Sequence, residues 1–202
     1  MAEANPVSIL PIHSRPYGHT YGEWSAKWWQ WFLSIPKSQN PAFDLVGGKA
    51  GINQDRLSPF FLCQTYENTI VLANRAVSIP RNRPIFMPII NWISIEHSDG
   101  ETDEELLAVA HENMNVVMDL EVVINGIPIS RPLKDFRAVS PFFILELPVE
   151  NIIGLSPGKK RAVSDGFWLF LQPRDRRIEI QSFASCSSGS TKIAVVYTIS
   201  FV

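Results

Sequence analysis

The sequence predicts a mainly β protein, namely a jelly-roll-like antiparallel β-sandwich with an N-terminal Trp-rich helix and one further inserted helix. Two observations predict the sandwich: short β-branched and aromatic runs follow one another from residue 59 onward, and tight turns rather than regular crossover helices separate most of them. A third observation predicts the helices, because two helical patterns each open with a capping box. At 202 residues, the chain is long enough for one domain with a substantial core.

The N-terminal part of the chain is predicted to be an arm followed by a helix. Residues 1–19 are rich in proline and polar residues, which is typical of an extended segment lying on its own domain or on a neighbouring chain. Residues 20–202 are assigned to the single sandwich domain. Thr20 and Glu23 match a capping box, so the first helix is expected to begin at Tyr21. It is expected to end before Pro36, because the residue preceding a proline avoids helical geometry.

The predicted strands are bounded by turn signals, of which Asn125-Gly126 between two apolar runs is the strongest. Pro88 is expected to sit at a bulge or sheet edge, because proline cannot donate a backbone hydrogen bond. The last run is apolar on both faces, so it is expected inside a sheet. The runs are Phe60–Thr65, Ile70–Ile79 after a turn at Glu67-Asn68, Ile85–Ile95, Leu120–Ile129, Arg137–Leu147, Ala162–Pro173, Arg177–Ala184 and Thr191–Val202.

Composition and charge exclude some classes of function. The net charge of -2 and pI near 6.1 provide no basic surface for a phosphate backbone, so nucleic acid is not an expected partner. The apolar runs are too short for membrane insertion, and the first residues lack the pattern of a signal peptide. We therefore expect a cytoplasmic protein with free Cys63 and Cys186 thiols. The alternative is a secreted protein whose signal peptide has been removed.

The first predicted helix carries four of the six tryptophans in the chain. At 3.6 residues per turn, Trp24, Trp28 and Trp31 fall on one side, and the apolar arc covers roughly 200° where about 100° suffices for a surface helix. Such a helix has to be covered on two sides. Its own loops or a second copy of the chain could supply the cover, and in the second case these three tryptophans lie at an interface. A carbohydrate-binding face is a third possibility.

The same helix carries a family resemblance. "YGEWSAKWWQW", followed by "SIP" and "NPAFD", resembles an uncharacterised family of small bacterial and archaeal proteins with a Tyr-x-x-Trp-x-x-x-Trp-Trp-Gln-Trp helix. The resemblance extends over nearly the whole domain and implies the β-sandwich fold, without an established activity. Members often carry two cysteines, before the Gln that matches Gln54 and before the Ile-Pro that matches Ile79-Pro80, and neither is present here. The further matching segments are Ile85–Asn91, Leu120–Ile129, Arg137–Phe143 and Ser164–Pro173.

The segment around the second predicted helix holds the densest set of metal-ligand types. Thr102 and Glu105 match the second capping box. His97, Asp99 and His111 could bind a divalent metal if the fold brings them together. The alternative is a solvated acidic turn leading into a capped helix, and on that interpretation no cofactor is predicted.

No catalytic motif is recognisable, since the chain has no phosphate-binding loop, nucleophile elbow or His-Glu-x-x-His helix. The first hypothesis is therefore a non-enzymatic structural or binding protein that self-associates into a homo-oligomer or larger assembly. The alternative is a small-molecule or carbohydrate binder, or a hydrolase-like enzyme, with its site between the Trp-rich helix and the sheet. The candidate ligand-binding residues are Tyr21, Trp28, Trp29, Asn91 and Asp165.

Overall fold

The computed structural model describes residues 7–65, 72–187 and 192–202, which form two mixed β-sheets packed against each other and two α-helices. The mainly β sandwich with a Trp-rich helix is confirmed. The helices are α1 (Tyr21–Ser34) and α2 (Asp103–Asn115). The strands are β1 (Val7–Ile9), β2 (Phe60–Phe61), β3 (Ala73–Ile79), β4 (Ile85–Ile95), β5 (Val117–Ile124), β6 (Ile127–Pro128), β7 (Arg137–Val139), β8 (Phe143–Leu147), β9 (Gly158–Pro173), β10 (Arg177–Cys186) and β11 (Lys192–Phe201).

The long strand β9 organises the first sheet. It pairs antiparallel with β1, β4, β7 and β8, and β4 in turn pairs with β2. The second sheet has the order β3-β11-β10-β5-β6, which places β11 inside the sheet as its two apolar faces predicted. Two pairs, β2 with β4 and β3 with β11, are parallel, so the sheets are not antiparallel throughout.

Local sequence signals account for most element boundaries. Both capping boxes form: the side chains of Thr20 and Thr102 accept hydrogen bonds from the backbone N–H groups of Glu23 and Glu105. The hairpin between β5 and β6 turns at Asn125, and φ is positive at that residue and at the next, as a tight primed turn requires.

Several boundaries differ from the prediction. The run Phe60–Thr65 pairs as a strand only at its first two residues, since Pro88 in the neighbouring β4 has no N–H to extend the ladder. The same proline coincides with a bulge between Pro88 and Ile90, as predicted. Arg137–Leu147 divides into β7 and β8. The predicted turn at Glu67-Asn68 and the start of the second run lie outside the described residues.

The two helices cover opposite faces of the first sheet. Trp168 and Phe170 of β9 contact the aromatic rings of α1, whereas Val163 clusters with Leu106 of α2. Odd- and even-numbered residues of a strand point to opposite faces, so α1 and α2 are on different sides. Within the described part of the chain, neither α-helix combines the length and apolar character needed to cross a bilayer.

A buried arginine fixes the segment after α1 to the second sheet. Arg75 on β3 is 2% exposed and donates hydrogen bonds to four acceptors, the carbonyl oxygens of Ala42, Asp44 and Cys63 and the hydroxyl of Tyr197. Burial raises the pKa of the Cys63 thiol, so this thiol stays neutral. Cys63 and Cys186 are both free.

Candidate functional site

The tryptophans of α1 are held by hydrogen bonds to three loops. Each of three indole N–H groups donates to a backbone carbonyl at 2.8–2.9 Å, and the pairs are Trp24 with Pro16, Trp28 with Leu62, and Trp31 with Ile52. Buried indole N–H groups usually have such a partner. The chain's own arm and loops therefore help to cover the helix.

These contacts revise the predicted interface. Trp24, Trp28 and Trp31 are 3%, 2% and 7% exposed within a single chain. Trp28 stacks on Phe32 and meets Trp168 of β9 edge-on, which makes it part of the core. A partner surface has to be accessible before association, so these three rings do not provide one.

Trp29 differs in its hydrogen bonding from the other three tryptophans of α1. It is 8% exposed, yet its indole N–H has no hydrogen-bond partner among the described residues. The ring lines a cavity of about 520 Å³ beside α1, which lies within the range of 300–1,000 Å³ that is typical of small-molecule sites. The cavity has aromatic and aliphatic walls, which come from α1, β4, the end of α2, the segment near Ile153 and the start of β11. Their members are Trp28, Trp29, Phe32, Ile90, Trp92, Ile93, Ile95, Met114, Val116, Ile153, Leu155 and Ile193.

Gln64, which also lines this cavity, has a second unpartnered polar atom. Its amide nitrogen donates to the carbonyl oxygens of Pro88 and Ile89 at 2.8 and 3.0 Å, and to the hydroxyl of Ser182 at 3.2 Å. Two carbonyl acceptors fix which end of the amide carries the hydrogens. The other end, Oε1, is buried and has no partner among the described residues. The bulge at Pro88 thus orients an acceptor on the cavity wall.

Asn91 on β4 supplies the third unpartnered atom. Its Nδ2 is buried and without a partner among the described residues. Asn91 is directly opposite Gly166 of β9, where a Cβ atom would come within 2.6 Å of Asn91 Cβ and 2.8 Å of Trp168 Nε1. A side chain at Gly166 would therefore displace one of these two groups. Because Gly166 has no side chain, Asn91 can occupy its position at the cavity.

The electrostatics of the cavity are simple. Among the described lining residues there is no Lys, Arg or His, and Asp99 is the one carboxylate. Asp99 Oδ2 accepts a hydrogen bond from the Ile95 N–H at 2.8 Å. The thiol of Cys186 also lines the cavity, and burial raises its pKa, so it remains protonated near neutral pH. The site is mostly apolar, with amide groups and one negative charge.

The structure separates the predicted ligand-binding residues into two groups. Trp28, Trp29 and Asn91 line the cavity, and their role in ligand binding stays a prediction. Tyr21 does not, because its hydroxyl is buried and donates to the carbonyl of Leu10 at 2.7 Å. Burial raises the pKa of Tyr21 far above its usual range, so it stays a neutral anchor between the arm and α1.

Asp165 is also absent from the cavity lining. It is fully buried, and its carboxylate accepts from Arg137 Nε at 3.0 and 3.1 Å. His111 Nδ1 lies 2.8 Å from the same carboxylate, on the α2 side of the sheet. A buried carboxylate needs such partners, and this set ties α2, β7 and β9 together. Sequence spacing alone did not indicate the pairing, because 54 residues separate Asp165 from His111.

The candidate metal ligands are not assembled. His97 Nδ1 is 2.6 Å from Glu101, and both side chains are exposed. His111 pairs with Asp165, and Asp99 belongs to the cavity wall. The described residues contain no group of three or more His, Cys, Asp or Glu side chains that could hold a metal ion. The geometry therefore gives no support to a site built from His97, Asp99 and His111.

Gln64 is the functional candidate that sequence reasoning missed. It follows the apolar run "FFLC", where a polar side chain in a buried segment has to find hydrogen-bond partners. That position was the available signal. The partners themselves lie 24 to 118 residues away, so the sequence could not identify them.

Comparisons with known proteins do not assign this site. No protein-family model and no curated protein sequence matches the chain. Among solved structures, a chain in the "Structure of PbICP-C in complex with falcipain-2" aligns with a TM-score of 0.30 and 8% identity, over 70% of this chain and 98% of that chain. A likeness this weak carries no argument about fold or function.

Proposed function

We propose that this protein is a non-enzymatic small-molecule-binding module whose ligand occupies the cavity between α1 and β4. One observation carries the proposal: Trp29, Gln64 and Asn91 line the same apolar cavity, and each has a buried polar atom (Nε1, Oε1 and Nδ2) without a partner among the described residues. An unpaired buried polar atom costs about 1–3 kcal/mol. A bound molecule that pairs with all three would recover that cost.

Binding is favoured over catalysis by the chemistry of the lining. A catalytic site needs a nucleophile or a general base near its substrate, and the described lining residues include no His and a single carboxylate, Asp99, whose Oδ2 already accepts a hydrogen bond from the Ile95 N–H. The Cys186 thiol has a raised pKa and is a poor nucleophile in its neutral form. The amide and indole groups instead suit recognition by hydrogen bonding.

The experiment is a titration with N-phenyl-1-naphthylamine, an uncharged fluorophore that brightens in apolar surroundings. We expect a saturable increase with one site per chain. Ile153→Trp puts a large ring on the cavity wall and should weaken binding about ten-fold or more, while Val149→Trp changes an exposed residue of the same segment and should leave affinity unchanged. Absence of saturable binding, or equal affinity of both variants, would refute the proposal.

Self-association into a homo-oligomer stays a prediction. Scattered exposed apolar side chains support it, of which Leu57, Val149, Val46 and Val202 are the most exposed. Isolated exposed residues of this kind are common on monomers, so the oligomeric state needs its own measurement. Light scattering after size-exclusion chromatography at tens of micromolar would decide it, and a monomer mass would end this hypothesis.

The cytoplasmic location also stays a prediction. The free Cys63 and Cys186 thiols support it, because exported proteins more often pair their cysteines.

A further inference from the structure

We infer that the ligand of this cavity is an uncharged ring compound with a carboxamide-like group, which offers a hydrogen-bond acceptor and a donor side by side, and that carboxylates and phosphates are excluded. This inference rests on the proposed function and specifies the class of ligand. It follows from the polar pattern, the charge and the walls of the cavity.

The polar pattern consists of donors and one fixed acceptor. Trp29 Nε1 can only donate and Gln64 Oε1 can only accept, whereas the amide of Asn91 has a donor end, Nδ2, and an acceptor end. The orientation of Gln64 is fixed, because its nitrogen is already bonded to the carbonyl oxygens of Pro88 and Ile89. A ligand therefore has to present an acceptor to the donors and an N–H or O–H to Gln64. A carboxylate satisfies the donors and leaves Gln64 facing an oxygen that cannot donate.

The charge of the lining disfavours anions. Burying an anion requires an opposite charge or several donors, and the described lining provides no Lys, Arg or His. Asp99 adds a negative charge on the same wall, which repels carboxylates and phosphates. Asp99 places no such penalty on a neutral amide.

The walls favour a flat ring. Trp28 and Trp29 meet edge-on with ring centroids 5.0 Å apart, and Phe32 stacks on Trp28 at 4.6 Å. Such rings form a rigid aromatic corner that can pack against the face or edge of another aromatic system. The volume of about 520 Å³ accommodates a bicyclic compound.

The test uses two probes that differ in one group. 1-Naphthamide and 1-naphthoate share a ring system and a nearly identical shape, but the amide nitrogen of the first is a negatively charged oxygen in the second. Isothermal titration calorimetry of the full chain at pH 7 should give an affinity for 1-naphthamide about ten-fold or more above that for 1-naphthoate. Equal affinities, or tighter binding of 1-naphthoate, would overturn the inference.

Two variants locate the selectivity. Asn91→Asp replaces a donor by an acceptor of the same shape, and should lower the affinity for 1-naphthamide about ten-fold. Asp99→Asn removes the negative charge while keeping an oxygen for the Ile95 N–H. It should raise the affinity for 1-naphthoate and so lower the ratio of 1-naphthamide affinity to 1-naphthoate affinity. Trp31→Phe is the control, since Trp31 is not among the residues that line the cavity. The affinity ratio of the two probes should be the same for this variant as for the wild type. An unchanged affinity ratio in Asp99→Asn would contradict the argument that the charge of Asp99 repels anionic ligands.

The outcomes separate the two proposals. If N-phenyl-1-naphthylamine binds at one site and the naphthamide preference is missing, the cavity is a binding site but the ligand class is wrong. If N-phenyl-1-naphthylamine does not bind saturably, the proposed function itself fails.

Discussion

Replacing Trp29 and Trp31 by phenylalanine, one at a time, tests the difference between them. The two residues are on the same helix and are 8% and 7% exposed. Both rings contact Trp28 and Phe32 in tilted or edge-on geometry. The same substitution therefore removes a similar amount of aromatic surface at each position. The hydrogen-bonding state of the indole nitrogen is the main difference.

The expected magnitudes follow from that nitrogen. Trp31→Phe breaks the 2.9 Å bond to the Ile52 carbonyl, which costs about 1 kcal/mol net. Trp29→Phe removes a buried donor that has no partner among the described residues, and this relieves a penalty of about 1–3 kcal/mol. Trp31→Phe should thus be more destabilising than Trp29→Phe by about 2–4 kcal/mol.

Urea unfolding followed by far-UV circular dichroism measures this difference. With an m-value of roughly 2 kcal/mol/M, the two midpoints should differ by about 1–2 M, with Trp29→Phe at the higher urea concentration. Equal m-values serve as the control, because they show that both variants expose the same amount of surface on unfolding. If Trp29→Phe is as destabilising as Trp31→Phe, the Trp29 N–H has a partner in the folded chain, and the reasoning about the cavity is wrong.

Three further predictions concern stability and fit. Trp28→Ala should lower the free energy of unfolding by about 3–5 kcal/mol without changing the oligomeric state, because Trp28 belongs to the core. A small loss of stability together with a changed oligomeric state would contradict this. Arg75→Met should cost about 3 kcal/mol or more in urea unfolding, since it removes the guanidinium donors from four buried acceptors, of which the Cys63 carbonyl keeps its hydrogen bond from the Tyr197 hydroxyl; a loss under 1 kcal/mol would show that the freed acceptors are solvated. Gly166→Ala should cost about 1–3 kcal/mol and weaken 1-naphthamide binding, because its Cβ displaces Asn91 or Trp168; unchanged affinity in calorimetry would place the ligand elsewhere.

Local sequence chemistry was sufficient to predict much of the fold. The capping boxes at Thr20 and Thr102 fixed where each helix begins, since their hydrogen bonds span three residues. The β5–β6 hairpin was equally predictable, because Asn125 and the glycine after it adopt the positive φ that the tight turn requires. Pro88 predicted a bulge because the missing N–H acts on its immediate neighbours.

The candidate site was only partly predictable. Trp29 and Asn91 were expected beside a pocket, but nothing in the helical pattern distinguishes Trp29 from its three neighbours. That distinction depends on which loop carbonyls reach each indole N–H, and those carbonyls are 8 to 34 residues away. Asp165 was misplaced because strand alternation puts it on the face opposite α1, where Arg137 and His111 surround it.

The most direct test of the binding site observes the indole N–H groups themselves. Each tryptophan gives its own indole signal in a ¹H–¹⁵N correlation spectrum, and the Trp29→Phe spectrum identifies the signal of Trp29. On titration with 1-naphthamide, the Trp29 signal should move strongly and saturably, because its hydrogen gains an acceptor. The Trp24 and Trp31 signals should stay nearly still, since their hydrogens already bond to loop carbonyls. A Trp29 signal that stays in place while the others move would contradict the account.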